Sequence, residues 1–241
     1  MWLEALEYNP MYRIRLADNL PRILEALQGA AGRVGRDPSE VTLVAVTKAH
    51  PPAALEAAID AGLRDLGENR VEELEGKVSL LGRDVVNWHM VGHVQSRKAK
   101  QVAEVADFLH SLDRMKLARK VSAHAVEAGR RMPALVQVNF MGEESKSGFS
   151  RDEAMEAIHE ILELPGVEVR GLMTMAPFVE DEKTLREAFS GLRRIHEGAR
   201  KLPGYTGTEL SMGMTNDFEL VVEEGSTMVR IGTALFGERP R

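Results

Sequence analysis

Along most of the chain, short unbroken apolar runs take turns with stretches whose apolar positions recur every three or four residues. The apolar runs are "VTLVAVTK", "DLGEN", "NWHMVGH", "ADFLHSLD", "PALVQVNF", "VEVRGLMTM", "TELSMGM" and "TMVRIGTALFG". Continuous rather than alternating hydrophobicity is the mark of strands buried on both faces, as in parallel sheets. Between them lie helical patterns. In "SRDEAMEAIHEILELPG", for example, Ala154, Ile158, Ile161 and Leu162 share one face, and Pro165-Gly166 ends the segment. A further helix is expected at the start, over roughly residues 10–35, broken or kinked at Pro21.

Eight strands interleaved with helices describe repeated βαβ units. Eight such units in 241 residues suit a closed (β/α)8 TIM barrel, for which about 250 residues is typical. No Gly/Ser-rich linker or charge block divides the chain, so residues 1–241 read as a single domain with an additional N-terminal helix. An open Rossmann-like sheet is the structural alternative. Against it, "TKAHPP" follows the first strand where a Gly-x-Gly-x-x-Gly turn would be expected.

Composition narrows the function classes. The net charge of −6 gives no basic field for nucleic acid or an anionic membrane. No cysteine is present, which excludes disulfides, thiolate metal sites and thiol nucleophiles. The start of the chain lacks the pattern of a signal peptide, and no apolar run approaches the ~20 residues of a membrane span. A cytoplasmic protein is expected.

In a barrel of this kind, chemistry sits at the carboxyl ends of the strands, with phosphate often held after the last two. Those ends offer Lys48, then Glu68, Asn69 and Arg70, then His89, His93 and Gln95. Ser111, Asp113 and Asn139 follow, then Met173 and Met175, then "SMGMTND", and finally "RIGT". A strand-end lysine commonly extends its head to solvent. Buried, it becomes a nucleophilic amine able to condense with a carbonyl. Ser211 and Gly213 before a helix start, and Gly232 with Thr233 at the last strand's end, make two adjacent turns suited to phosphate; an ordinary capped helix is the plain reading of the first. Arg230 projects to the same side as Gly232. It therefore needs an acceptor inside the barrel, either a buried acid such as Glu68 or a heteroaromatic ring nitrogen. His89 and His93 straddle Gly92 rather than sharing a helix face, which argues against a metal pair. Met173 and Met212 are core filler, or in a barrel mouth would pack on a flat ring.

Taken in order, "VAVTK", "GENR", "WHMVGHVQSRK", "ESKSG", "GLMTMAP", "SMGMTND" and "VRIGTALFG" resemble the pyridoxal phosphate homeostasis protein family, relatives of the alanine racemase N-terminal barrel. The resemblance runs from about residue 10 to 237. It implies a fold-type III barrel for pyridoxal 5′-phosphate (PLP), with Lys48 matching the lysine that forms a Schiff base with the cofactor aldehyde. Ser211, Gly232 and Thr233 match phosphate-binding positions, and Met212 and Gly213 belong to the same motif. Arg230 matches the arginine facing the pyridine nitrogen. Asn69, His93 and Met173 fall in motifs lining the cofactor pocket, and Lys146 matches a further family lysine, a secondary PLP site.

An arginine at the ring nitrogen leaves the cofactor a weak electron sink. The racemases with this arginine also need a tyrosine from a second domain, and Tyr8, Tyr12 and Tyr205 are not expected at a carboxyl-end loop. The resemblance thus implies a PLP carrier without robust catalysis, monomeric or weakly dimeric, that limits free PLP and delivers it to apo-enzymes. The alternatives are a weak PLP-dependent racemase or lyase with Lys48 as base, a cofactor-free Schiff-base aldolase, and a scaffold.

Overall fold

The computed structural model describes residues 10–175, 179 and 181–238. The opening helix, α1 (Pro10–Arg33), runs through Pro21 without the expected break. The missing amide costs one hydrogen bond, but Tyr12, Leu16, Leu20, Ile23 and Leu27 bury one continuous stripe on both sides of it. At its far side α1 clasps the end of the chain: Arg15 and Asn19 donate to the carbonyls of Phe236 and Leu235.

Each of the eight expected runs contains a strand: β1 (Thr42–Val46), β2 (Asp65–Glu68), β3 (Asn87–Met90), β4 (Phe108–Leu112), β5 (Met132–Asn139), β7 (Val167–Met173), β8 (Glu209–Ser211) and β9 (Met228–Ile231). All pair in parallel, and contacts of β1 with β9 and of β4 with β5 close the barrel. A two-residue strand, β6 (Phe149–Ser150), pairs with the end of β5. It is too short for any periodicity to announce. Asn139 creates it, gathering the preceding loop by donating to the carbonyls of Glu143 and Lys146 and accepting from the amides of Gly142 and Glu143.

The helices α2 (Pro52–Asp60), α3 (Val71–Leu81), α4 (Ala99–Val105), α5 (Met115–Glu127), α6 (Ala154–Leu162), α7 (Glu182–Ala199), α8 (Phe218–Glu223) and α9 (Thr233–Phe236) follow the strands. Period-2 geometry splits the buried side chains into two compartments. Leu43, Ala45, Leu66, Trp88, Leu109, Val229 and Ile231 face the helices in one large core. Leu135, Met173 and Met228, with Phe108 against them, form a separate small cluster. Each fully buried leucine of the larger core contributes roughly 1.5–3 kcal/mol, which makes the helix–strand layer the main source of stability. Among the described residues, no helix is long and apolar enough to cross a membrane.

Candidate functional site

A cavity of about 810 Å³ opens at the carboxyl ends of the strands, lined among others by Lys48, Asn69, Met173, Arg230, Gly232 and Thr233. That volume lies within the ordinary range for a small-molecule pocket. Lys48 reaches it because β1 alternates: Leu43 and Ala45 face the helices, whereas Val46 and Lys48 line the cavity. The turn behind Lys48 is unusual. Ala49 has φ 60°, a left-handed conformation that costs an L-residue about 1–2 kcal/mol. Its amide is held by Glu73 Oε2 at 2.8 Å.

Beneath this turn lies a buried charge pair. Glu68 Oε1 accepts from both Lys77 Nζ and Thr47 Oγ1, and Lys77 also donates to the Thr47 carbonyl at 2.8 Å. Burial pushes the Glu68 carboxyl up, against the pull of Lys77. Among the described residues, Glu68 Oε2 has no hydrogen-bond partner. Glu68 is therefore the partner of Lys77 from α3, not of Arg230, and it holds the residue preceding Lys48.

Arg230 is 6% exposed and donates to Ser211 Oγ at 2.5 Å and to the Thr174 carbonyl at 3.1 Å. Burial brings its pKa down to about 10, with Asp217 acting in the opposite direction. Ser211 does not line the cavity itself; it supports Arg230 from behind. In the loop from β8 to α8, Gly213 has φ 83°, and a Cβ there would lie 2.4 Å from Val221 Cγ2. Asp217 Oδ1 accepts from the Met214 amide at 2.6 Å, and burial pushes this carboxyl up. Thr215 Oγ1 accepts from the Ala234 amide at 3.4 Å, tying this loop to the start of α9. Gly232 opens α9 without a side-chain cap, and a Cβ on it would lie 2.9 Å from the Val46 carbonyl oxygen.

Other expected residues lie elsewhere. Met212 is buried in the helix–strand core. His93 is outside the cavity lining, with Nδ1 at 2.8 Å from Asp113 Oδ2 and 3.2 Å from Ser147 Oγ. Lys146 pairs with Glu143 Oε1 at 2.6 Å and reaches the carbonyl of Met175, a lining residue, at 3.5 Å. Ala176 and Pro177 of "GLMTMAP", like Tyr8, lie outside the described residues. Sequence reasoning missed His50, which lines the cavity and meets Tyr12 OH at 3.1 Å. Tyr12 itself lies on α1 in the buried helix–strand core rather than in a carboxyl-end loop, and burial raises its pKa. His50 stands two positions beyond Lys48, but its partner on α1 left no local signal. Among the described residues, no group of three or more metal-ligating side chains occurs.

The fold and site define an alanine racemase-type barrel, and residues 19–240 match the family described as "Alanine racemase, N-terminal domain". The alanine racemase of Corynebacterium glutamicum superposes with a TM-score of 0.70 at 16% identity, over 93% of this chain and 62% of its own, a likeness of fold alone. The "Pyridoxal phosphate homeostasis protein" of Aquifex aeolicus is 38% identical over 92% of this chain and 97% of its own. PipY of Synechococcus elongatus, solved with PLP bound, is 34% identical with a TM-score of 0.78, over 88% of this chain and 100% of its own. The chain belongs to the pyridoxal phosphate homeostasis protein family.

Proposed function

We propose that this protein binds PLP in the cavity at the mouth of its barrel and serves intracellular PLP homeostasis. The observation that carries this reading is the presence of Lys48 and Arg230 on the wall of one cavity, beside the turn at Gly232 and Thr233. The residues fit the group. Lys48 brings an amine to the cavity wall for the aldehyde, Arg230 a fixed cation for the ring nitrogen, and Gly232 a turn that a Cβ would crowd for the phosphate. When bound, PLP would supply a reactive aldehyde, which the Lys48 amine would hold.

In this reading Asn69 and Met173 contact the cofactor, while Ser211, Met212 and Gly213 shape the loop and Arg230 from outside the cavity. His93 and Lys146 belong to the rim, where Lys146 is a secondary PLP contact. The protein is a cytoplasmic carrier, monomeric or weakly dimeric, that delivers PLP to apo-enzymes. A weak racemase or lyase activity with Lys48 as base is the second reading, since the His50 imidazole lines the same cavity. Tyr12, whose phenol meets His50, is buried outside the cavity lining, which favours the carrier. Titration of the purified protein with PLP, followed by absorbance, tests the function. Saturable binding that is weakened in Lys48→Ala is expected, and failure of the unaltered protein to bind PLP would refute it.

A further inference from the structure

Five side chains from five strands make one continuous hydrogen-bonded line from one end of the barrel to the other. Arg230 of β9 donates to Ser211 Oγ of β8 at 2.5 Å, and Ser211 Oγ lies 2.9 Å from Nδ1 of His110 of β4. His110 Nε2 lies 2.9 Å from Nδ1 of His89 of β3, whose Nε2 lies 3.0 Å from Oδ1 of Asp65. Asp65 opens β2 at the amino end, with its side chain 24% exposed, whereas Arg230 lines the cavity at the carboxyl end. Ser211 and His110 are fully buried and His89 almost so. Phe108 stacks on His89 at 5.5 Å and meets His110 edge-on at 5.2 Å, sealing the line from the side.

One order of donors runs unbroken along this line. A guanidinium only donates, so Ser211 Oγ accepts from Arg230, and its own hydroxyl proton can go to His110 Nδ1. His110, held neutral by full burial near Arg230, then carries its proton on Nε2. That proton is donated to His89 Nδ1, which leaves the His89 Nε2–H facing Asp65. Asp65 is kept ionised: despite its burial, the His89 and Asn87 hydrogen bonds lower its pKa. Every dipole therefore points from Arg230 toward Asp65.

We propose that Ser211, His110, His89 and Asp65 are positioning residues: a one-way relay that fixes the orientation and charge of the Arg230 guanidinium on the cavity wall. Its service to PLP rests on the functional reading above; the relay itself does not. A reorganised hydrogen bond at Arg230 is worth roughly a tenfold change in affinity.

The test begins with the protein free of PLP and labelled with 15N-histidine, the two resonances being assigned by single substitution. Long-range proton–nitrogen correlations should find His110 and His89 both protonated at Nε2 alone. His110 carrying its proton on Nδ1, or on both nitrogens, would overturn the proposal whether or not PLP binds. His89→Leu then cuts the line at a residue that does not reach the cavity. It should release His110 to a mixture of tautomers, shift the absorbance of bound PLP and weaken PLP binding roughly tenfold. Unchanged tautomer, spectrum and affinity in that folded variant would reduce the line to interior packing. Asp65→Leu, altered at the partly exposed end, repeats the cut should His89→Leu not fold. Absence of PLP binding by the unaltered protein would instead defeat the functional reading and leave the tautomer result standing.

Discussion

Replacing Lys77 by methionine probes the support under Lys48. The side chains of Lys77 and Glu68 are 2% and 0% exposed, so the variant leaves a carboxylate buried without its cation and the Thr47 carbonyl without its donor. Breaking such a pair costs about 3–5 kcal/mol, which at roughly 2–4 °C per kcal/mol for a chain of this size lowers the Tm by about 6–20 °C. Burial already raises the Glu68 pKa in the folded state, and loss of Lys77 raises it further. A carboxyl whose folded pKa is raised destabilises the fold when ionised, so the penalty applies above the folded pKa and fades toward the unfolded value near about 4.3. Urea denaturation of both proteins at stepped pH should therefore show the deficit of Lys77→Met shrinking from pH 8 toward pH 5. Glu68→Gln with Lys77→Met should recover most of it, because removal of both partners is nearly neutral. A deficit below about 1 kcal/mol at neutral pH, or one that grows on acidification, would refute this account of the pair.

Other outcomes follow from the turns. Gly213→Ala combines a left-handed φ with a contact of 2.4 Å and should cost about 2–5 kcal/mol by chemical denaturation. Adding Val221→Ala should remove the steric part but not the conformational part. Ala49→Val places a β-branched residue at φ 60° and should lose about 1–2 kcal/mol together with PLP affinity, whereas Ala49→Gly should keep both. The carrier reading predicts negligible solvent deuterium exchange at the α-carbon of added amino acids; rapid exchange that disappears in Lys48→Ala would support the racemase reading instead.

What could be read from the chain depended on how local the determinant was. The strands showed themselves because burial on both faces writes an apolar run into consecutive residues; Lys48 stood out at the end of its run, and Arg230 with Gly232 followed from period-2 alternation. The partners did not. Glu68 stood beside Arg230 as a plausible acid, yet Lys77 claims it from α3, and nothing in "EGKVSL" distinguishes that lysine from a solvated one. Asp65, His89 and His110 lie on three neighbouring strands, and only closure of the barrel against β8 brings Ser211 to the end of their line. His89 was readable as a polar strand-end residue, but its role depends on which side chains the barrel places beside it. The strand β6 escaped notice because its cause, the Asn139 side chain, acts through loop carbonyls and amides.

The central claim is that Lys48 is the covalent anchor of the cofactor. Borohydride reduction of the PLP-loaded protein, followed by peptide mapping at stoichiometric labelling, tests it directly. The account predicts a pyridoxyl group on the peptide containing Lys48, with labelling of Lys146 appearing only at excess PLP. A stoichiometric adduct on any other lysine, with Lys48 unmodified, would contradict it.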